Sequence, residues 1–366
     1  MNMEQVRDAF AFAGVYSEAE ELKSGLINNT YRLRYALPDG GARDYILQQI
    51  NTTVFKKPDE VMQNVRGVTE FLAAKYVEMG VDPARRVLRL IPTRDGKFMH
   101  VDAQGRCWRA YDFVTGAVAL DRAETADQFK EAGRGFGAFQ RMLADYPAEK
   151  LHETIPGFHN TRARFDVLEA SAAKNAAGRI DAAAAELEFL RANRALLCEI
   201  VDGLDGGSIP LRVTHNDTKI NNVMLDAVTG EALCVIDLDT IMPGTLLWDF
   251  GDAIRFGAST AVEDEPDTSK IDLDMNLFRA FAEGFLAEMG ESITQREAEL
   301  LPRGVENMAG ELAARFLTDY LDGDVYFKTA YPEHNLVRAR AQIALLKAIL
   351  AKEGEMAACV AAILEK

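Results

Sequence analysis

The chain is poor in the residues that staple small folds. Its 366 residues hold four cysteines, Cys107, Cys198, Cys234 and Cys359, with no Cys-x-x-Cys pair. That scatter argues against a disulfide framework and against a structural zinc site, and it leaves Cys234, in an apolar run, as a small core residue. Long apolar runs are missing too. The longest apolar tail, Met356 to Leu364, is far too short to cross a bilayer. The start, Met1-Asn-Met-Glu-Gln-Val-Arg-Asp8, lacks a basic head followed by an apolar stretch, so no signal peptide is expected and a cytoplasmic location is. Positive charge is scarce: 41 Lys and Arg against 57 Asp and Glu leave a formal net charge of −16. Neither nucleic acid nor an anionic membrane is an expected partner for such a surface. A nucleotide remains possible, because a metal and a few local donors neutralise its phosphates.

What is present is enough for a large globular protein. An apolar fraction of 48% supports substantial cores, and the length suggests two lobes, 1–114 and 115–366. The chain is organised around Val213-Thr-His-Asn-Asp-Thr-Lys-Ile-Asn-Asn-Val-Met-Leu-Asp226, which contains His215-x-Asp217-x-x-x-x-Asn222. This is the spacing of a phosphotransferase catalytic loop, in which an Asp takes the acceptor hydroxyl's proton and an Asn five residues on reaches the metal. Val235-Ile-Asp-Leu-Asp-Thr240 follows, with the turn Val228-Thr-Gly-Glu231 between. The whole reads as a hairpin whose ends bring Asn222 and Asp237 to one edge, where they can share a cation. Asp249-Phe-Gly-Asp252 completes the order.

These residues resemble the aminoglycoside phosphotransferase and choline kinase superfamily and, within it, the bacterial N-acetylhexosamine 1-kinases. The resemblance rests on Ile209 to Lys219, Ile236 to Gly244, Asp249 to Thr260 and Tyr331 to Arg338, and more weakly on Tyr45-Ile-Leu-Gln-Gln-Ile-Asn51. It spans nearly the whole chain. It implies an α+β, protein-kinase-like fold with a β-rich N-terminal lobe and a larger helical C-terminal lobe, and an enzyme using ATP and Mg²⁺. The implied acceptor is GlcNAc or GalNAc, phosphorylated on the anomeric hydroxyl. Arg315 and Tyr326 lie in a segment that resembles one in the hexosamine kinases, so they are candidates to hold the sugar; without the resemblance Arg315 reads as a helix-surface ion-pair residue.

Taken in order, residues 4–13 suggest a short helix, Tyr31 to Tyr35 and Tyr45 to Ile50 two strands joined at Pro38-Asp-Gly-Gly41, and residues 58–79 a helix. The loop Gly25 to Thr30 is placed to cover phosphates, with Asn28, Asn29 and Thr30 as donors; an ordinary hairpin is the alternative. Kinases usually carry a Lys on the third strand. Gln48 and Gln49 stand there instead, a departure that shifts phosphate neutralisation onto the metal. Residues 87–91, 98–102 and 107–114 read as a meander whose last strand brings Tyr111, Asp112 and Phe113 to an adenine-binding hinge. Residues 124–145 form a helix whose Gly133 and Gly137 permit close helix contact, and 161–203, 274–290, 293–321 and 335–351 are helical as well. The acidic loop 261–267 reads as solvated, and His159 as a loop histidine satisfied by backbone.

In the resulting site Asp217 is the catalytic base, and Asn222 with Asp237 holds Mg²⁺, a cation that favours oxygen ligands. His215 scaffolds the loop, Asp249 braces it, and Asp252 faces solvent. Lys219 either neutralises the transferring phosphoryl or lies on the surface, and Asp239 either adds a metal contact or supports the loop. A different small-alcohol kinase, a nucleotide-binding pseudokinase and a metal-dependent hydrolase stay open, as does the oligomeric state.

Overall fold

The computed structural model describes residues 3–22 and 27–365. Its N-terminal part is α1 (Met3–Asp8), β1 (Val15–Leu22), β2 (Asn29–Ala36), β3 (Ala42–Gln49), α2 (Pro58–Glu78), β4 (His100–Val101) and β5 (Cys107–Asp112). The strands form one sheet in the order β1-β2-β3-β5-β4, every pair antiparallel. Side-chain alternation gives the sheet two working faces. Leu33, Tyr35, Tyr45, Leu47, Trp108 and Ala110 bury one face against Phe10 and Phe12. On the other face Gln48, Arg109 and Tyr111 look toward the helical lobe, and Tyr111 joins the main core.

Several expectations change here. The opening helix stops at Asp8. Residues 87–91 make only an isolated bridge, Leu90 to Tyr111, in place of a strand. β1 was not visible in the sequence because Val15-Tyr-Ser-Glu-Ala-Glu-Glu-Leu22 is exposed almost throughout; three glutamates on an edge strand hide its alternation while discouraging edge pairing.

The C-terminal part runs β6 (Ala117–Val118), α3 (Ala126–Met142), α4 (Thr161–Lys174), α5 (Ala184–Leu197), α6 (Glu199–Asp205), β7 (Arg212–Thr214), β8 (Val223–Asp226), β9 (Ala232–Val235), β10 (Met242–Gly244), α7 (Leu246–Gly257), α8 (Met275–Met289), α9 (Gln295–Asp322), α10 (His334–Ala351) and α11 (Glu353–Leu364). β6-β8-β9 and β10-β7 are two small sheets under the cleft. α9 is the spine of this lobe, started by a Thr294–Glu297 capping box and ended at Gly323 in the left-handed region. The α3–α8 contact is as close as Gly133 and Gly137 suggested. A Cβ at Gly137 would sit 2.4 Å from the Phe285 carbonyl oxygen, and one at Gly284 only 2.0 Å from that of Lys130. Among the described residues no helix is long and apolar enough to cross a membrane.

Candidate active site

The hairpin forms as its sequence implied. Val223 pairs with Val235, and the Ile236 N–H donates to the Asn222 carbonyl at 2.8 Å, so Asn222 and Asp237 end on the same edge. Asn222 donates its amide nitrogen to the Asp217 carbonyl at 2.8 Å and to its carboxylate at 3.2 Å, which leaves the amide oxygen as the end available to a cation. Asp237 sits at φ +58°, in the left-handed region, where a non-glycine residue persists only when its surroundings hold it. Solvent still reaches its side chain through the open cleft. The protein packed around it, and then the charges of Asp239 and Asp217, push its pKa up to about 6 against the pull of Arg109 and His215. One amide oxygen and one open carboxylate suit Mg²⁺, which takes few protein ligands and fills its shell with phosphate oxygens and water.

The catalytic loop is held from beneath by Asp249 on α7. Its carboxylate accepts the N–H groups of His215 (2.9 Å) and Asn216 (2.8 Å) and the side chain of Gln140 from α3 (2.6 Å). Asn216, at φ +65°, donates to the Thr214 and Thr240 carbonyls and so ties the loop to the segment after Asp237. His215 is fully buried; it accepts the Asp217 N–H at Nδ1 (3.3 Å) and meets the Ile236 carbonyl through Nε2 (2.9 Å), a network that assigns the proton to Nε2. Both ring nitrogens are thus engaged by neighbouring backbone groups. Asp217, half-buried, points its carboxylate into the cleft with Lys219 Nζ at 2.7 Å. Burial works against the Lys219 charge, but Asp217 and Asp252 together raise its pKa. Asp252 does not face solvent as expected: it is buried, pairs with Arg255 at 2.7 Å and accepts the Thr218 N–H.

On the sheet side the proposed nucleotide residues separate. Thr30, Gln48 and Tyr111 belong to the cleft face, whereas Asn29 and Gln49 lie on the opposite face beside Tyr31 and Trp108, where they line a 380 Å³ depression with Asn51 and Arg106. The strand's pleat sends neighbouring glutamines to opposite sides, so only Gln48 is placed for the cleft. Asn28 is buried, but it donates to Asp239 at 2.6 Å and accepts the Asn51 N–H at 2.9 Å. The loop residues Gly25 and Leu26 lie outside the described residues. Asp112 turns to Arg43 (2.7 Å), away from the cleft, and the N–H groups of Asp112 and Phe113 are taken by the carbonyls of Arg89 and Asp44. Sequence reading passed over Arg109, which is 1% exposed and faces Asp239 and Gln48. Its register opposite Gln48 was the only available signal.

At the acceptor end Arg315 is half-buried between the Phe158 and Phe327 rings, 5.5 and 5.7 Å away, and makes no hydrogen bond or ion pair with the described residues. Arg164 donates to the Phe158 carbonyl at 2.8 Å; burial, and then Arg315, lower its pKa. Tyr326 is 71% exposed, on a segment fixed by Asp319, whose carboxylate accepts the N–H groups of Val325, Tyr326 and Phe327. His159 is buried against the Glu311 carboxylate at 2.9 Å, not satisfied by backbone as expected. Burial alone would raise the Glu311 pKa, but His159, Arg315 and Thr161 hold it low.

Solved structures share this architecture at low identity. The chain is similar to an amicoumacin kinase in complex with AMP-PNP and Ca²⁺, with a TM-score of 0.59, 13% identity, and 93% of this chain and 92% of the other covered. It is similar to an aminoglycoside phosphotransferase from Alicyclobacillus acidocaldarius (0.59, 12%, 99% and 96%). It is also similar to a choline/ethanolamine kinase family protein from Mesorhizobium loti (0.54, 15%, 100% and 99%). A sequence model of the phosphotransferase enzyme family matches residues 18–288, and the chain belongs to that family.

Proposed function

We propose that this phosphotransferase is an ATP- and Mg²⁺-dependent anomeric kinase that converts an N-acetylhexosamine, GlcNAc or GalNAc, to its 1-phosphate. The observation that carries the acceptor class is Arg315. A half-buried guanidinium that makes no hydrogen bond or ion pair of its own, next to Arg164 and with only the Glu311 carboxylate acting on the two, leaves positive charge to disfavour a cationic acceptor and offers free donors to hydroxyls or an acetamido carbonyl. Structural neighbours include a choline kinase and an ethanolamine kinase, whose names imply cationic acceptors. The arginines here favour a neutral one. Tyr326 beside Arg164 adds an exposed ring and hydroxyl for the far side of a sugar.

Phosphoryl transfer requires alignment and charge neutralisation more than covalent chemistry. Asn222 and Asp237 would hold Mg²⁺, which would supply neutralisation of the phosphate charge. Asp217 orients the acceptor oxygen and takes its proton, while Lys219 at 2.7 Å balances charge beside it. Several sugar hydroxyls would reach Asp217 if the ring tumbled, so selection of O1 comes from orientation by Arg315 and Tyr326. The ring oxygen makes the C1 hydroxyl the most acidic, which suits an ordinary carboxylate base.

An acceptor screen with ATP and Mg²⁺, followed by phosphorus NMR of the product, tests this. A 1-phosphate is the expected product, and a methyl glycoside, blocked at C1, should not turn over. A 6-phosphate, or turnover restricted to choline-like amines, would overturn the assignment.

A further inference from the structure

The kinase pattern places a lysine on the third strand and pairs it with a glutamate of the next helix. Here Gln48 occupies the strand position, and Arg109 lies directly opposite it on β5. The Gln48 side-chain oxygen accepts two Arg109 donors, Nε at 3.1 Å and Nη2 at 2.8 Å, while the Gln48 nitrogen donates to Thr30 at 3.0 Å. The third guanidinium nitrogen pairs with the Asp239 carboxylate, both side chains almost fully buried. The other Asp239 oxygen accepts Asn28 at 2.6 Å, two residues before Thr30. A chain of five side chains, Thr30, Gln48, Arg109, Asp239 and Asn28, thus runs across β2, β3, β5 and the loop that carries Asp237. A lysine at 48 would set a second cation against Arg109 and break it, so glutamine is the residue this arrangement needs. Helix α2 supplies no acid to the chain of contacts; its Asn64 reaches the same segment through a neutral bond to the Ile241 carbonyl at 2.9 Å.

We infer that the Arg109–Asp239 pair replaces the lysine–glutamate pair as the tie between the sheet and the metal loop, and that it sets the affinity for the divalent cation by holding Asp237 toward Asn222. Arg109 is a positioning residue in this role. At 1% exposure it has no face left for a phosphate, and Asp239, 3% exposed with its oxygens turned to Arg109 and Asn28, supports the loop. Asp237 depends on that support because its φ of +58° is unfavourable for an aspartate and is followed at once by the tight turn Leu238–Thr240. The charge that kinases spend on the nucleotide is spent here on the loop that binds the metal.

This inference rests on the chain being a kinase of its family and not on the sugar assignment, so the test uses no acceptor. The main variant is Arg109→Gln with Asp239→Asn, which removes both charges together and strands neither. ADP binding is followed by titration calorimetry in EDTA and across a Mg²⁺ series. The Mg²⁺ concentration for half-maximal ADP binding should rise by at least about tenfold, as for other residues that orient metal ligands, with metal-free ADP affinity within about twofold of wild type. Arg109→Lys, which keeps the charge against Asp239, should recover the Mg²⁺ requirement to within about threefold. A folded double variant with a wild-type Mg²⁺ requirement overturns the inference. So does an equal loss with and without metal, which would mean that Arg109 meets the phosphates directly. If the double variant does not fold, the lysine variant decides alone: recovery supports the tie, and a full loss of Mg²⁺ affinity overturns it.

Discussion

Asp217 and Asp237 lie close together, yet their surroundings differ. Asp217 keeps one oxygen beside Lys219 and the other beside Asn222, the setting in which the proposed mechanism has it take a hydroxyl proton. Asp217→Asn keeps the shape and removes that capacity; kcat should fall by at least about 10²-fold with nucleotide affinity little changed, as steady-state kinetics and calorimetry will show. Glu306 is a titrating residue remote from the chemistry. Its side chain is fully buried on α9 and paired with Arg303; burial first, then Glu353 and Glu199, push its pKa up to about 7 despite that arginine. Because the folded pKa lies above the unfolded value of 4.5, the stabilisation is complete below that value. It is lost as pH rises toward 7, where the folded state must carry a buried charge. Glu306→Gln should therefore raise Tm at pH 8 by roughly 2 °C or more, the effect of about 1 kcal/mol, and change it little at pH 5.

At the scale of elements, the site depends on helices that never touch substrate. α3 lies against α8 through backbone contact at Gly133, Gly137 and Gly284, and the same α3 carries Gln140, which braces Asp249 under the catalytic loop. Gly137→Ala places a methyl against the Phe285 backbone, 2.4 Å from its oxygen, where nothing flexible can yield. Overpacking of this kind costs about 1–3 kcal/mol. A lower Tm with a reduced kcat is expected, since displacing α3 moves Gln140 away from Asp249. A stable variant with unchanged kcat would show that the two helices adjust without disturbing the loop.

At the scale of the whole molecule, the proposed acceptor site draws on α4, α9 and the Val325–Phe327 segment, apart from the proposed nucleotide cleft between the lobes. If Arg315 holds the acceptor, it should act only there. Arg315→Ala should raise the acceptor KM by about 10- to 100-fold, the value of one or two hydrogen bonds to a charged donor, while the ATP KM stays within about twofold. Equal losses for both substrates would place Arg315 outside the acceptor pocket. Choline, ethanolamine and aminoglycosides should be poor acceptors because two arginines at one end of the pocket repel them.

The grouping of the candidate site residues was legible because it is local in sequence: His215, Asp217 and Asn222 share one loop, and the hairpin Val223–Val235 fixes where Asp237 falls. Gly133 and Gly137 announced the helix contact for the same reason, since their spacing puts them on one face. The sequence could not divide Gln48 from Gln49, place Asp112 away from the cleft, or bury Asp252 beside Arg255, because each depends on which face of an element meets which neighbour. Nor could it reveal Arg109, whose partners Gln48 and Asp239 lie 61 and 130 positions away and meet it only across strand pairing and lobe closure. Local spacing therefore determined which candidate groups come together. The packing of the sheet on the Asp237 loop decided which charge lies beside them, because a buried ion pair forms only where long-range folding removes water from both partners.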